Sequence, residues 1–455
     1  MNVHSLRLGT SGMRGRVGAA LTPALAMDFA SALGTYLDGG SVVVACDTRF
    51  SSDMFRNAVI SAMMGCGCNV LDAGIASAPE LHFYVPHLDA DAGLLIGGGH
   101  HPGGWNALVP LSRTGAVFNY AQLQELLDVY HSHRYRWAGW SATGHVSVVP
   151  GDVREAFLDA VCARLDRDAI AAADLTVVAD FCNGSGTRIT QRFGARLGIN
   201  LISINTIASG VLPHSPEPRP RSSQQVQSLI APLAAEIGFV FNSDMSRAAL
   251  VTSSGETLSE EYTFPLTAEL VLARAAQPLR VVTNCCTTRT LDDIVARHNG
   301  KLHKTKVGES FIIDRMIELH ADLAGDGSGS TAFADHLFGF DNLMMMGVVL
   351  EALATQRRGS AELAQTLPRY HIIKRAIPCP SAHAYTLLRS VRDHFADAEL
   401  SEEDGFRFDW PDGWIHLRAS MTEPIVRMIV EWKSREVAED KALYVRGLLE
   451  RLVAP

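Results

Sequence analysis

The chain contains 455 residues, of which 47% are hydrophobic and 20% are charged, and its formal net charge is -9 at pH 7. This length predicts three or four domains rather than one, and the acidic balance disfavours nucleic acid or an anionic membrane as a general partner. The N-terminus has no signal-peptide pattern, and no apolar run reaches the about 18 residues that predict a transmembrane helix. A cytoplasmic location is therefore expected.

The first part of the chain alternates apolar strands with amphipathic helices. The β-branched run SVVVACD, residues 41–47, predicts a parallel strand that is covered on both faces. A helix should follow it, with Asp53 as the N-cap and Gly65 at the end. The segments NVLDAG, APELHFYVPHL and AGLLIGGG then predict a strand, a helix and a strand. This βαβαβ order predicts a mostly parallel α/β layer.

The same rhythm recurs in residues 175–199 and 279–300, where a strand, a polar turn and a helix follow one another. The tail differs, because residues 405–434 predict antiparallel strands that precede a final helix. The fold class is therefore α/β, with three tandem mixed α/β domains and a smaller C-terminal α+β domain. The expected domains span residues 1–143, 144–259, 260–367 and 368–455.

The eight cysteines lie at positions 46, 66, 68, 162, 182, 285, 286 and 379. The pairs Cys66/Cys68 and Cys285/Cys286 lack the two-residue gap and the second matching pair that are typical of a zinc site. We therefore expect buried, reduced thiols, as in a cytoplasmic protein.

Short polar loops occur in order along the chain. They read GTSGMRG (9–15), ACDTRFSS (45–52), CNGSG (182–186), TKVGES (305–310), GDGSGS (325–330) and RASMTEP (418–424). Together they resemble the α-D-phosphohexomutase family, which includes phosphoglucomutase, phosphomannomutase and phosphoglucosamine mutase. The resemblance covers essentially the whole chain. It implies four domains around one central cleft that binds a phosphorylated sugar.

The loop that begins at Arg418 suits a phosphate dianion. Arg418 and Arg427 would supply guanidinium groups, while Ser420 and Thr422 would supply hydroxyls within a tight turn. A solvated hairpin turn is the alternative role for this segment. Arg14, in the N-terminal loop, is a further candidate to face an anion, with an exposed surface arginine as its alternative.

The GDGSGS loop resembles the family's sugar-binding loop. Its glycines permit close approach of a ligand, and Asp326 and Ser328 offer hydrogen bonds to hydroxyl groups. Asp326 stands where the family has Glu, and Ser330 stands where it has His. The sugar preference is therefore expected to differ from that of the family.

The sequence departs from the family in its phosphoserine loop. The family's Thr-Ala-Ser-His-Asn-Pro reads GGGHHP here, so Gly99 occupies the position of the nucleophile and has no group to carry a phosphoryl. His100 matches the family's His and His101 replaces its Asn. Asn106 is kept, and the family's loop Lys falls at Val109.

The metal loop is also altered, because the family's Asp-Gly-Asp-x-Asp-Arg reads NSDMSR here. Asp244 keeps its carboxylate, while Asn242 and Ser246 stand at the other two ligand positions. Mg²⁺ is a hard ion that usually needs one or two carboxylates plus ligand phosphates. The expectation is weak or absent Mg²⁺ binding. A nucleotide cofactor is not expected, since no Gly-rich turn has the acid of a dinucleotide-binding unit.

Three residues are candidates to replace the lost chemistry. A neutral imidazole of His100 or His101 can accept a phosphoryl or transfer a proton. A structural or sugar-contacting role for both histidines is the favoured alternative, and a metal site on them is the least favoured. Lys306, within the TKVGES segment, is the remaining candidate for proton transfer, and a surface charge is its alternative.

Two functions follow from these patterns. The first is a phosphohexomutase-family enzyme whose phosphoryl transfer is lost or altered, although the family class is a phosphosugar mutase. The second is a non-catalytic protein that senses a phosphosugar or supports a protein partner. An enzyme that acts on a different phosphate or a phosphonate is a further alternative. A phosphorylated sugar or related small phosphate is the expected ligand in each case.

Overall fold

The computed structural model describes residues 6–9, 12–420 and 424–453. Thr422 of the predicted phosphate loop lies outside these described residues. Within them the chain forms four β-sheets, one after another along the sequence, with helices packed on them. None of the described helices is both long enough and apolar enough to cross a membrane.

The described helices and strands have the following bounds. The strands are β1 (Arg7–Gly9), β2 (Gly12–Arg16), β3 (Gly40–Cys46), β4 (Cys68–Ile75), β5 (Ala92–Ile96), β6 (Trp105–Ser112), β7 (Val146–Val148), β8 (Thr176–Asp180), β9 (Asn200–Ile204), β10 (Ile237–Phe241), β11 (Ala248–Thr252), β12 (Thr257–Leu258), β13 (Arg280–Asn284), β14 (Lys301–Thr305), β15 (Leu323–Asp326), β16 (Ser330–Phe333), β17 (His371–Pro378), β18 (Glu399–Ser401), β19 (Phe406–Trp410), β20 (Gly413–Ala419) and β21 (Ile425–Trp432). The helices are α1 (Pro23–Tyr36), α2 (Ser52–Gly65), α3 (Ala78–His87), α4 (Tyr120–Ser132), α5 (Gly151–Cys162), α6 (Arg167–Ala172), α7 (Thr190–Leu197), α8 (Gln224–Ile230), α9 (Thr263–Arg274), α10 (Thr290–Arg297), α11 (Glu309–Glu318), α12 (Asn342–Gln356), α13 (Ser360–Gln365), α14 (Ser381–Arg392) and α15 (Arg435–Val453).

The first sheet has the strand order β1-β2-β6-β5-β3-β4-β7. β3 pairs in parallel with both β4 and β5, which confirms the predicted βαβαβ layer. β6 runs antiparallel to β5, so the GGGHHP segment forms the turn between these two strands. The end of β3 lies beside the end of β5, and this brings the ACDTRFSS segment next to that turn.

The prediction that Asp53 caps α2 is wrong. The helix begins at Ser52, and Ser51 occupies the N-cap position without a side-chain capping bond. Asp53 lies inside the first turn, where its carboxylate pairs with Arg56 at 2.8 Å. The Ser52 hydroxyl donates to Asp47 at the end of β3 (2.5 Å), and this contact holds the helix start close to the strand.

The second and third sheets repeat the parallel arrangement. β8 pairs in parallel with β9 and β10, and β13 pairs in parallel with β14 and β15. Each sheet also has an antiparallel strand, β11 in the second and β16 in the third. The NSDMSR segment is the turn between β10 and β11, and the GDGSGS segment is the turn between β15 and β16.

The fourth sheet differs, because all of its pairings are antiparallel in the order β17-β21-β20-β19-β18. Its buried apolar side chains form a cluster of their own, from Ile377 to Leu449. The first three sheets instead share one large cluster, which includes Val43, Phe239 and Val281. Three mixed α/β units and a separate α+β unit are therefore present, which confirms the predicted fold class.

Candidate functional site

The turn between β5 and β6 is held in place by a buried ion pair. Asp47 and Arg49 are both almost fully buried, and their charged groups are 2.8 Å apart. The same guanidinium donates to three carbonyl oxygens of the turn, those of Gly99 (3.0 Å), His101 (2.6 Å) and Pro102 (2.7 Å). Because one buried cation satisfies three backbone acceptors, the turn has a fixed conformation despite its glycines.

Gly99 lies against the second domain. Its carbonyl oxygen also accepts a hydrogen bond from the Ser243 hydroxyl at 2.8 Å. A Cβ atom at Gly99 would lie 2.8 Å from Oδ2 of Asp244, and its backbone φ of +51° favours glycine. The structure therefore brings the nucleophile position and the metal loop together. The residue in contact with the metal loop is Gly99, which has no side chain.

The metal loop is closed by its own hydrogen bonds. Oδ1 of Asp244 accepts from the Asn242 amide (2.8 Å), the Ser246 hydroxyl (2.6 Å) and the Ser246 backbone N–H (3.0 Å). The side-chain oxygen of Asn242, Oδ1, accepts from the backbone N–H of Arg247 at 3.1 Å. Since that oxygen must face an N–H, the donating NH₂ group of Asn242 faces the carboxylate.

These contacts do not fit a Mg²⁺ site. Mg²⁺ requires oxygen ligands in near-octahedral geometry, and carboxylates supply the charge that offsets its dehydration. Asp244 is the one carboxylate of the loop, and its Oδ1 is already occupied by three donors. Asn242 presents hydrogen atoms where a metal ligand would present lone pairs. The two neutral replacements therefore act as hydrogen-bond partners of Asp244.

The rings of the two histidines of the turn are in contact, with centroids 4.3 Å apart and planes tilted by 33°, and His101 also stacks on Trp105. Burial, and next the Arg247 guanidinium, hold the pKa of His100 well below its usual value. Burial, and next the Arg14 guanidinium, lower the pKa of His101 to about 3. Both imidazoles are therefore neutral at pH 7. The surrounding cations make this region suitable for an anion.

The sugar loop is also ordered by internal hydrogen bonds. Oδ1 of Asp326 accepts from the backbone N–H (2.9 Å) and the hydroxyl (2.5 Å) of Ser328. Its Oδ2 accepts only a long bond of 3.4 Å from Asn284 among the contacts of the described residues. Ser330 begins β16 and is buried. Oδ1 of Asp326 is thus occupied by hydrogen bonds within the loop, and Oδ2 is the better placed to accept from a ligand hydroxyl.

The predicted phosphate loop joins β20 to β21. Arg418 and Arg427 are directly opposite each other in this antiparallel pair, so both side chains leave the same face of the sheet. Arg418 also pairs with Asp404 at 3.0 Å, and the same carboxylate oxygen accepts the backbone N–H of Val307. Like charges that face each other destabilise a sheet, and the carboxylate of Asp404 offsets part of that repulsion. Ser420 donates its backbone N–H to Ile425 at the base of the loop.

Three models of phosphoglucomutase/phosphomannomutase alpha/beta/alpha domains I, II and III match residues 5–136, 155–255 and 259–370, respectively. The chain belongs to the α-D-phosphohexomutase family. The match covers the first three sheets, and the order of the three domains is that of the family models. The resemblance of the short loops is therefore confirmed at the level of the family.

Relatives cover nearly the whole chain. A phosphoglucomutase/phosphomannomutase of Thermococcus kodakarensis is 30% identical over 446 residues, which is 95% of this chain and 96% of the relative. A probable phosphoglucosamine mutase of Pyrococcus abyssi is 31% identical over 437 residues, 95% of each chain. The crystal structure of a family protein from Burkholderia thailandensis superposes with a TM-score of 0.85 at 26% identity, covering 99% of this chain and 97% of the other.

Glu309 is a half-buried acid of this family member that the sequence analysis did not identify. Burial, and next the charge of Asp244, raise the pKa of Glu309 to about 8, and Asp326 contributes in the same direction. Its Oε1 lies 3.6 Å from Nε2 of His82, and because 27% of the side chain is exposed, water moderates the rise. Glu309 therefore keeps its proton to a higher pH than an ordinary carboxyl group, because carboxylates of the metal loop and the sugar loop act on it.

Sequence spacing could not have identified this acid. Glu309 lies at the start of α11, where an acid is ordinary because it favours the positive end of the helix dipole. Its raised pKa depends on Asp244 and Asp326, which come from two other turns of the fold. The TKVGES segment is the sequence feature that contains Glu309, and within it the sequence analysis assigns the proton-transfer role to Lys306.

Lys306 and Arg14 have more modest surroundings. Lys306 is exposed, and its ammonium lies 5.9 Å from the centre of the Phe311 ring. It directly precedes Val307, whose N–H binds Asp404 beside the phosphate loop. Arg14 lies in β2, opposite Ala107 of β6, and is half-buried. Both residues are near predicted anion-binding loops, and neither has an environment that marks it as a proton donor.

Two further positions of the family pattern have structural contacts. The Asn106 amide is buried and donates to the hydroxyls of Ser51 (2.9 Å) and Ser52 (3.0 Å) at the start of α2. Val109 lies in β6 opposite Leu95, and it packs against the shared hydrophobic cluster. The position of the family's lysine is therefore occupied by an apolar side chain with apolar neighbours.

Proposed function

We propose that this α-D-phosphohexomutase family member binds a phosphorylated sugar between its sugar loop and its phosphate loop. We further propose that it lacks the family's phosphoserine- and magnesium-dependent phosphoryl transfer. The observation that carries the proposal is the contact between Gly99 and Asp244, where the nucleophile position has no hydroxyl and the one loop carboxylate is bound by neutral donors. Phosphoryl transfer depends on positioning and charge stabilisation together. Both are weakened at the same point.

Ligand binding is supported by charges that the altered chemistry leaves in place. Arg418 and Arg427 face each other across β20 and β21, and they would accept a phosphate dianion together with the hydroxyl of Ser420. Asp326 and Ser328 would bind sugar hydroxyls. Arg14 and Arg247 make the surroundings of the two histidines cationic, which suits a second negative group of the ligand.

The chemistry available at the vacant position is limited. His100 and His101 are neutral imidazoles, so either could accept a phosphoryl group or a proton. Glu309 is a neutral acid that could donate a proton to a ligand oxygen near the metal loop. Without a bound Mg²⁺, the transferring phosphoryl would depend on arginines for charge stabilisation. A different reaction on a phosphate or phosphonate is consistent with these groups.

A functioning mutase is the main alternative, and the names of the relatives favour it, since they are described as phosphoglucomutase/phosphomannomutase and probable phosphoglucosamine mutase. A non-catalytic phosphosugar sensor, or a protein that supports a partner, is the other alternative. The glycine at position 99 favours the non-catalytic function over ordinary mutase activity. Hexose and hexosamine phosphates are thus the ligands to test first.

The test combines binding with turnover. Calorimetry should measure the affinity for glucose 1-phosphate, glucose 6-phosphate, glucosamine 6-phosphate and glucose 1,6-bisphosphate, with and without Mg²⁺. We expect binding that changes little with Mg²⁺, negligible interconversion of the monophosphates when the bisphosphate is present, and no phosphoserine in the first domain. Robust mutase turnover by the unmodified chain would contradict the proposal, and mass spectrometry of His100 and His101 would then locate the phosphoryl group.

A further inference from the structure

Two adjacent thiols lie against a histidine at the junction of the third and fourth sheets. Cys285 and Cys286 directly follow β13, and His416 is in β20. Sγ of Cys286 is 3.3 Å from Nδ1 of His416, and Sγ of Cys285 is 3.7 Å from Nε2. The sequence analysis expected no zinc site here, because the cysteine pair lacks the two-residue gap and a second matching pair. The third group instead comes from a position 130 residues away.

The hydrogen bonds of His416 leave one ring nitrogen available to a ligand. Nε2 lies 2.6 Å from the backbone carbonyl oxygen of Asp404, and since a carbonyl only accepts, Nε2 carries the proton. The lone pair of the imidazole is therefore on Nδ1, the nitrogen that faces Cys286. A histidine that binds a metal almost always donates its other N–H to a carbonyl or a carboxylate, which is the arrangement of His416.

The spacing of these groups suits a small thiophilic ion. The ligand atoms of Cys285, Cys286 and His416 all lie within 4.8 Å of one another. With Zn–S bonds of about 2.3 Å and Zn–N bonds of about 2.0 Å in a tetrahedral site, neighbouring ligand atoms are about 3.6–3.8 Å apart. The three groups therefore need only small side-chain movements to bind one ion.

The surroundings of the thiols include a buried cation. Arg407 donates to the backbone carbonyl of Cys285. A positive charge beside the two cysteines favours the thiolate, which is the form that binds metals.

We propose that Cys285, Cys286 and His416 form a binding site for a thiophilic d¹⁰ metal ion, for which Zn²⁺ is the probe, and that the ion links the third domain to the fourth. Soft thiolate and imidazole ligands select such ions over Mg²⁺. The site is distinct from the metal loop around Asp244, and it does not depend on the proposed sugar-phosphate function.

The link would hold the predicted phosphate loop in place. Asp404 accepts from His416 through its carbonyl and from Arg418 and Val307 through its carboxylate. His416 lies two residues before Arg418 in the same strand. An ion bound to His416 and to the turn after β13 would therefore restrain the strand that carries Arg418.

The first experiment measures zinc directly. The full chain is reduced, freed of metal with a chelator, and titrated with Zn²⁺ in competition with a chromophoric chelator. We expect one tightly bound Zn²⁺ per chain. The double variant Cys285→Ser and Cys286→Ser should bind Zn²⁺ more than about tenfold more weakly. That loss exceeds the about tenfold cost of changing a residue that only hydrogen-bonds to a metal ligand. Cys379→Ala, a buried thiol of the fourth domain, is the matched control and should keep the site.

The second experiment uses the unmodified chain, so it does not depend on the folding of a variant. Cys286 is the one cysteine that is not fully buried, and its alkylation, mapped by mass spectrometry, should slow at least tenfold when Zn²⁺ is added. Alkylation of Cys66 serves as the internal control. The proposal is overturned if Zn²⁺ leaves the alkylation rate of Cys286 unchanged or if the double variant retains zinc fully. It is also overturned if Cys285 and Cys286 are isolated as a disulfide and, once reduced to thiols, bind no zinc.

Discussion

The metal loop and the phosphate loop differ in how their polar groups are satisfied. In the metal loop, Asn242 and Ser246 replace carboxylates and form hydrogen bonds to Asp244, so the loop is complete without an ion. In the phosphate loop, Arg418 and Arg427 are opposite each other, and Arg418 pairs with Asp404. The first loop is closed by its own hydrogen bonds, while the second keeps two cations on one face of the sheet.

The proposed function separates transfer chemistry from ligand binding within one fold. Replacing a carboxylate by an amide or a hydroxyl removes charge but keeps a hydrogen-bonded turn, so the fold tolerates the change. A phosphate site cannot be replaced in this way, because its affinity comes from the cations themselves. Variants of the two loops and of their neighbours test this proposed separation.

Arg49→Ala should strongly destabilise the first domain. Removing one partner of a buried ion pair leaves the other charge uncompensated, which costs about 3–5 kcal/mol. Three carbonyls of the turn also lose the Arg49 donor, although those of Gly99 and Pro102 keep a second donor. Urea denaturation measures the free energy of unfolding. Arg446→Ala, which removes an exposed pair with Glu450, is the control and should leave that free energy nearly unchanged. Equal effects of the two variants would show that the turn does not depend on Arg49.

Glu309→Gln should remove a pH-dependent loss of stability. Because the folded pKa of Glu309 is about 8 against an ordinary 4.5, unfolding releases a proton between these pH values. The wild-type free energy of unfolding should therefore fall as pH rises from about 4.5 to 8, relative to the variant. One pKa unit corresponds to about 1.4 kcal/mol, so a difference of roughly 2–4 kcal/mol at pH 9 is expected. Denaturation of both proteins at pH 5 and pH 9 measures it, and a pH-independent difference would contradict the shifted pKa.

Arg418→Ala should weaken hexose-phosphate binding. Loss of a charged donor to a dianion costs about 1.5–3 kcal/mol, which is some ten- to hundredfold in affinity. Calorimetry with the tightest ligand of the wild-type protein measures the change. Arg446→Ala should keep wild-type affinity, and unchanged binding by Arg418→Ala would place the phosphate elsewhere.

Gly99→Ser alone should give no measurable mutase activity. The serine would have to keep the positive backbone φ of Gly99, and its Cβ would lie 2.8 Å from Oδ2 of Asp244. We expect this strain to cost about 1–3 kcal/mol of stability. The carboxylates at positions 242 and 246 of the metal loop would still be missing, and residues that act as a unit are not restored singly. A coupled assay for glucose 6-phosphate measures the activity. The triple variant Gly99→Ser, Asn242→Asp and Ser246→Asp is the comparison, and activity in the single variant would show that the loop charge is dispensable.

The sequence by itself determined the fold class and the positions of the altered loops. Local signals were sufficient there, since the β-branched run of β3, the β5 strand and the alternation of the tail each specify an element through its own periodicity. The vacancy at Gly99 and the loss of two carboxylates were also visible, because they are matters of residue identity. The start of α2 was misplaced because Ser52 binds Asp47, a contact outside the helix.

Only the tertiary structure decided which groups act on one another. The raised pKa of Glu309 depends on Asp244 and Asp326, and the Cys285–Cys286–His416 grouping depends on the packing of the fourth sheet against the third. Burial and charge proximity are properties of distance in space, and a pKa or a ligand set responds to distance rather than to sequence separation. The sequence therefore specifies which groups are available, while the packing of four sheets specifies which of them meet.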